Sequence, residues 1–97
     1  MVTRIVKLSF HKENEIAFLK LFKEQNDHIR SVSGCLHLEA LRTENENSVL
    51  YFTYSKWESE LHLNAYRESE LFKFIWPRTK ALFNAKPEAW TLHGISE

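Results

Sequence analysis

The stretch Tyr51–Phe74, YFTYSKWESELHLNAYRESELFKF, decides the fold. It opens on an apolar, aromatic segment, Val49 to Tyr54, that reads as a strand because β-branched and aromatic side chains suit a pleated surface. Polar Lys56-Trp57-Glu58-Ser59 follows, then a short helical stretch, then Ser69-Glu70-Leu71-Phe72 opening a further helix. Ser55-Lys56-Trp57-Glu58 matches a capping box, Ser at the cap and Glu three residues on, and Ser59 is an equally good cap. Either way Trp57 stands where a sheet hands over to the helices that cover it. A large aromatic there either closes the core or walls a pocket.

Upstream, Val2, Arg4, Val6, Leu8 and Phe10 alternate with Thr3, Ile5, Lys7 and Ser9, the period of a strand. Residues 12–32 change to helical spacing, with Phe18, Leu21, Phe22, Gln25 and Ile29 on one face. Ser33-Gly34 ends that helix, glycine suiting a left-handed cap. Cys35 to Arg42 predicts a second strand with Cys35, His37, Glu39 and Leu41 on one face and Leu36, Leu38, Ala40 and Arg42 on the other. The polar turn at residues 43–47 joins it to a third strand over Ser48–Ser55, making a hairpin. Downstream, the helix capped by Ser69 runs to about Phe83. Pro77 inside it removes a backbone donor, which predicts a kink or break near Trp76. Ala89 to Ile95 alternates again and predicts a last strand.

The order β-α-β-β-α-β is the split βαβ, ferredoxin-like arrangement, an α+β fold with an antiparallel sheet and helices on one face. The third strand carries apolar groups on both faces, so the sheet face away from the helices needs a cover. A second copy is the simplest one, and two sheets face to face make a dimeric α/β barrel; a monomer with one solvated face is the other solution.

Ninety-seven residues make a single domain, 1–97. Formal net charge is zero and the cations are scattered, against the clustered Lys/Arg of a nucleic-acid binder. No apolar run approaches the ~20 residues of a membrane span. The N-terminus alternates and lacks a signal peptide's apolar region, so we expect a cytoplasmic protein. One cysteine, Cys35, excludes an internal disulfide and a multi-cysteine metal site. His11, His28, His62 and His93 form no ligand spacing, so no metal is expected.

The order of elements, Gly34-Cys35 before the second strand, and the W-x-S (Trp57–Ser59) and S-x-x-F (Ser69–Phe72) motifs of the 51–74 run together resemble the antibiotic biosynthesis monooxygenase family of small dimeric α/β-barrel proteins. The resemblance implies a homodimer, a pocket for a small hydrophobic or aromatic molecule, and oxygenation of a quinol or phenol by O2 with no cofactor. By position it makes Trp57, Phe72 and Trp76 substrate-binding. It puts Tyr66 where relatives frequently have His, with Asn64 on the same short helix. Relatives also carry Glu where Ser55 stands. Haem-cleaving members need a His at Trp76 and an Asn at Val6, so haem cleavage is not implied.

The chemistry needs a proton acceptor and a donor for a developing oxyanion. Tyr66 is a proton donor at neutral pH. His37 is the best general base by intrinsic pKa if its face meets the cavity, and a structural strand His otherwise. We therefore take His37, Tyr66 and Asn64 as catalytic candidates. Arg42 and Arg67 are candidates to hold an anionic substrate group, or are simply solvated. Two other functions stay open: a non-catalytic small-molecule-binding protein of this fold, and an O2-independent isomerase-type enzyme using His37.

Overall fold

The computed structural model describes residues 1–95. Four strands and three α-helices follow one another as β1 (Val2–His11), α1 (Glu15–Arg30), β2 (Cys35–Glu44), β3 (Ser48–Trp57), α2 (Glu60–Arg67), α3 (Glu70–Lys80) and β4 (Glu88–His93), with one 3-10 turn, Lys12–Asn14, ahead of α1. The sheet has the order β2-β3-β1-β4, every pair antiparallel, the ferredoxin-like arrangement expected from the sequence. Among the described residues no helix is long and apolar enough to cross a membrane.

Period-two alternation divides the sheet into two chemically distinct faces. Val2, Arg4, Val6, Leu8 and Phe10 of β1 share a face with Val49, Tyr51, Thr53, Ser55 and Trp57 of β3, as the cross-strand register requires. This face meets the helices. Leu8, Phe10, Phe18, Val49 and Tyr51 form its buried centre, with the Phe10 and Phe18 rings stacked at 4.6 Å. Each such aromatic pair contributes about 0.5–1.5 kcal/mol beyond its area. Tyr51 keeps its hydroxyl satisfied by donating to Glu15 Oε2 at 2.6 Å, and Arg42 pairs with Glu15 and Glu44. The other face carries Ile5, Phe52, Tyr54, Leu41, Trp90 and Leu92. Trp90, Leu92 and Leu41 are 43%, 46% and 51% exposed there. The molecule is only 19 Å along its shortest axis, room for one sheet and one helical layer.

Three sequence expectations are corrected. First, β3 runs past the expected end at Ser55 to include Trp57: Val2 and Cys35 pair opposite it, so of the two candidate caps the strand ladder continues through the first. Ser59 is the true N-cap of α2, accepting from the His62 N–H at 3.2 Å. Second, of the kink or break expected near Trp76, the break does not occur: α3 runs through Pro77 to Lys80. Arg78 Nη1 donates to the Phe74 carbonyl and Thr79 Oγ1 to that of Ile75, adding side-chain bonds in the turn that Pro77 deprives of a donor. Third, a bulge lies between Cys35 and His37, with Leu36 as the extra residue. Cys35 therefore shares the helix-side face with Trp57, while His37 and Glu39 oppose Lys56 and Tyr54 on the open face.

Gly34 joins three elements at the top of the sheet. Its φ is +86°, it follows the end of α1, and its carbonyl accepts from Glu58 N–H at 2.8 Å. A Cβ built here would lie 2.4–2.5 Å from the His62 side chain on α2. The left-handed backbone alone costs a non-glycine residue about 1–3 kcal/mol. Gly34→Ala is expected to lower unfolding stability by at least about 2 kcal/mol. Urea unfolding followed by circular dichroism checks it; an unchanged midpoint would contradict both the left-handed backbone at Gly34 and its close approach to α2.

Candidate functional site

Between the helix-side face of the sheet and the helices lies a cavity of about 220 Å³. The sheet supplies its floor through Arg4, Val6 and Leu8 of β1, Leu38 of β2, and Thr53, Ser55 and Trp57 of β3. Phe18, Phe22 and Ile29 of α1 close one side, and Leu63, Tyr66, Arg67, Phe72, Ile75, Trp76 and Thr79 of α2 and α3 close the other. A dry cavity of about 150 Å³ lined by apolar groups suffices for benzene, so this one accepts a one-ring aromatic with substituents.

Its aromatic wall is a continuous series of ring contacts. Trp57 stacks on Tyr66 at 5.1 Å, Tyr66 meets Phe72 edge-on at 5.3 Å, and Phe72 stacks on Trp76 at 5.7 Å. Trp76 then meets Phe83 edge-on, tying the wall to the core. Spacing produces this run: Ser59 caps α2 and turns Tyr66 toward the sheet, and Ser69, accepting from Phe72 N–H at 3.2 Å, starts α3 with Phe72 and Trp76 one turn apart. Trp57 is 1% exposed. Its indole N–H donates to Ser55 Oγ at 3.0 Å, and Ser55 in turn donates to the Arg4 carbonyl at 3.4 Å. The Ser55 hydroxyl thus satisfies a buried donor.

Tyr66 is half-buried, and burial, with a smaller contribution from Cys35, pushes its phenol up to about 12. It is therefore protonated at any physiological pH, a hydrogen-bond donor and not a base. Arg4 donates through Nη1 to Thr91 Oγ1 at 2.8 Å. Burial, and then the charge of Arg67, lower its pKa. Among the described residues neither Arg4 nor Arg67 makes an ion pair, whereas Arg42, the other arginine singled out in the sequence, is taken up by Glu15 and Glu44 away from the cavity.

The structure thus brings Trp57, Tyr66, Phe72 and Trp76 together around one space and leaves two candidates outside it. His37 is on the open face, with its Nε2 3.1 Å from Glu39 Oε1 and its ring edge-on to Tyr54. The face parity that would have aimed it at the helices is not the one adopted, so it is not a base for this cavity. Asn64 is exposed on α2 and does not line the space either. Sequence reasoning missed Arg4, Ser55 and Phe18 as lining residues. Arg4 did carry a signal: it is the one charge among Val2, Val6, Leu8 and Phe10 on the face that β1 buries.

The model of the antibiotic biosynthesis monooxygenase family matches residues 1–75, which include β1 through the first half of α3 and the wall residues Trp57, Tyr66 and Phe72, with Trp76 one residue beyond. The chain belongs to that family. Solved structures agree on the fold. A candidate antibiotic biosynthesis monooxygenase from Caulobacter crescentus CB15 superposes with a TM-score of 0.87 at 18% identity, covering 98% of this chain and 90% of its own. One from Nitrosomonas europaea gives 0.85 at 12% identity, covering 99% and 100%. A conserved protein from Methanosarcina mazei Go1 gives 0.84 at 22% identity, covering 95% and 91%. At these identities the likeness establishes the fold alone, and no curated protein matches the chain. Some family members are monooxygenases, and a further similar structure, from Nitrosomonas europaea, is described as a protein of unknown function.

Proposed function

We propose that this protein is a cofactor-independent oxygenase of a small phenol or quinol, bound in the cavity between sheet and helices. The observation that carries the reading is the wall Trp57–Tyr66–Phe72–Trp76 around about 220 Å³. Flat aromatic faces at that spacing take a planar ring by stacking and exclude water from it. The protonated Tyr66 phenol is a donor for the oxygen that becomes negative as the ring gives up electrons. The substrate is itself the reductant. A phenol with an unsubstituted ring carbon reacts with O2 to a quinone, one oxygen atom becoming the new carbonyl and the other leaving as water with two hydrogens, one from that ring carbon and one from the phenol's hydroxyl.

A second reading has its own support. Among the described residues no Asp, Glu or His lines the cavity, so no side-chain base reaches it. That favours a protein that binds an aromatic metabolite without transforming it. Oxygen uptake by the purified protein, metal and flavin removed and autoxidation subtracted, separates the two across a panel of one-ring quinols and phenols. The oxygenase reading expects saturable uptake that falls at least about tenfold in Trp57→Phe or Tyr66→Phe, about the loss that follows removal of one positioning or donor contact. Binding with no uptake would establish the binding protein instead.

We also propose that the open sheet face is covered by a second copy. Trp90, Leu92 and Leu41 are large apolar groups exposed on a flat antiparallel face, a surface that soluble monomers rarely leave bare. A two-fold pairing of such faces would close the barrel. Sedimentation should give a dimer for the native chain and a monomer for Trp90→Glu; a native monomer at micromolar concentration would remove this proposal.

A further inference from the structure

Two arginines reach the same apolar cavity from opposite layers. Arg4 comes from the middle of β1 and Arg67 from the last turn of α2. They are close enough for the charge of Arg67 to disfavour that of Arg4, and Arg4 is half-buried. Its one side-chain partner among the described residues is the neutral hydroxyl of Thr91. Buried charges in proteins are ordinarily paired, because an isolated one loses its hydration without compensation. Here two like charges face one cavity with no carboxylate between them. Every other group facing the cavity is neutral: α1, α3 and β2 contribute only apolar side chains and Thr79, β3 contributes hydroxyls and an indole, and α2 adds the protonated Tyr66, beside Cys35.

We infer that Arg4 and Arg67 form an anion subsite and that the ligand is held as an aromatic oxyanion, its ring on the Trp57–Phe72 wall and its ionised oxygen on the two guanidinium groups. The inference rests on the cavity being the ligand site. It also accounts for the absence of a lining base among the described residues. A phenol brought beside two cations is acidified by their field, and its proton leaves to bulk water without an intermediary side chain. An aromatic carboxylate satisfies the same subsite without ionising anew. The pair therefore selects for anionic over neutral rings, a discrimination that the apolar wall alone cannot make.

The test uses two probes of similar size with the native chain. p-Nitrophenol reports its own ionisation, since only the phenolate absorbs strongly in the visible; p-nitroanisole has the same ring and cannot ionise. The phenolate is expected to bind at least about tenfold tighter than p-nitroanisole. The bound phenol should titrate about one unit or more below the free one. Arg4→Gln and Arg67→Gln should each lose most of that preference and keep p-nitroanisole affinity, and Arg4→Lys should retain part of it. Arg67 is exposed on α2, so its variant serves even if Arg4→Gln does not fold. Equal affinity of the native protein for both probes, or full preference in Arg67→Gln, overturns the subsite while leaving the cavity intact. Failure of both probes to bind overturns the cavity reading beneath it as well.

Discussion

The stack of Trp57 on Tyr66 is the contact on which the site depends. Trp57 ends β3, so its position is set by the pairing of β3 with β1 and β2, and its indole N–H is held by Ser55 two residues earlier on the same face. Tyr66 is near the end of α2, and the stack fixes that short helix over the sheet. An eight-residue helix has little stability of its own, so its placement must come from such tertiary packing. Gly34, pressed against His62, holds the start of α2 while Tyr66 holds its end. With α2 fixed at both ends, Phe72 and Trp76 follow on α3, and the cavity is the space that the four rings leave against β1.

Two residue choices then set what this space can recognise. Most of the lining is apolar, so the driving force for a ligand is desolvation and dispersion and is tolerant of chemistry. Arg4, Arg67, Tyr66, Ser55, Thr53 and Thr79 are, with the two indole N–H groups, the polar groups among the lining residues, and all of them donate hydrogen bonds. A cavity with that inventory suits a ring bearing oxygen. The open sheet face is different in kind: its large side chains form a flat surface without enclosure, suited to another sheet and not to a small molecule.

Much of this was legible in the sequence because alternation and helical spacing are local. The β1 pattern from Val2 to Phe10 gave both the strand and its buried face, and the aromatic run 51–74 held three of the four wall residues, Trp57, Tyr66 and Phe72. What was not legible depended on pairing between distant segments. Ser55 and Ser59 both resemble helix caps, and only the cross-strand partners of Trp57 decide that the strand continues through the first. The parity of His37 depended on an extra residue at Leu36, which reverses the relation of Cys35 to everything after it. Pro77 argued for a break that the packing of α3 on the sheet and on α1 overrides. Arg42 and Arg67 look equivalent along the chain; Glu15, twenty-seven residues from Arg42, makes one a structural ion pair and leaves the other at the cavity.

The three tryptophans allow the central claim, that the enclosed cavity and not the open face takes the ligand, to be tested in one experiment. Trp57 and Trp76 line the cavity, and Trp90 is on the open face. Titration of ¹⁵N-labelled protein with a one-ring phenol should shift the indole Nε1–H signals of Trp57 and Trp76 together, saturably, and leave Trp90 unmoved. Movement of Trp90 alone, or of none of the three at millimolar phenol, would contradict the account.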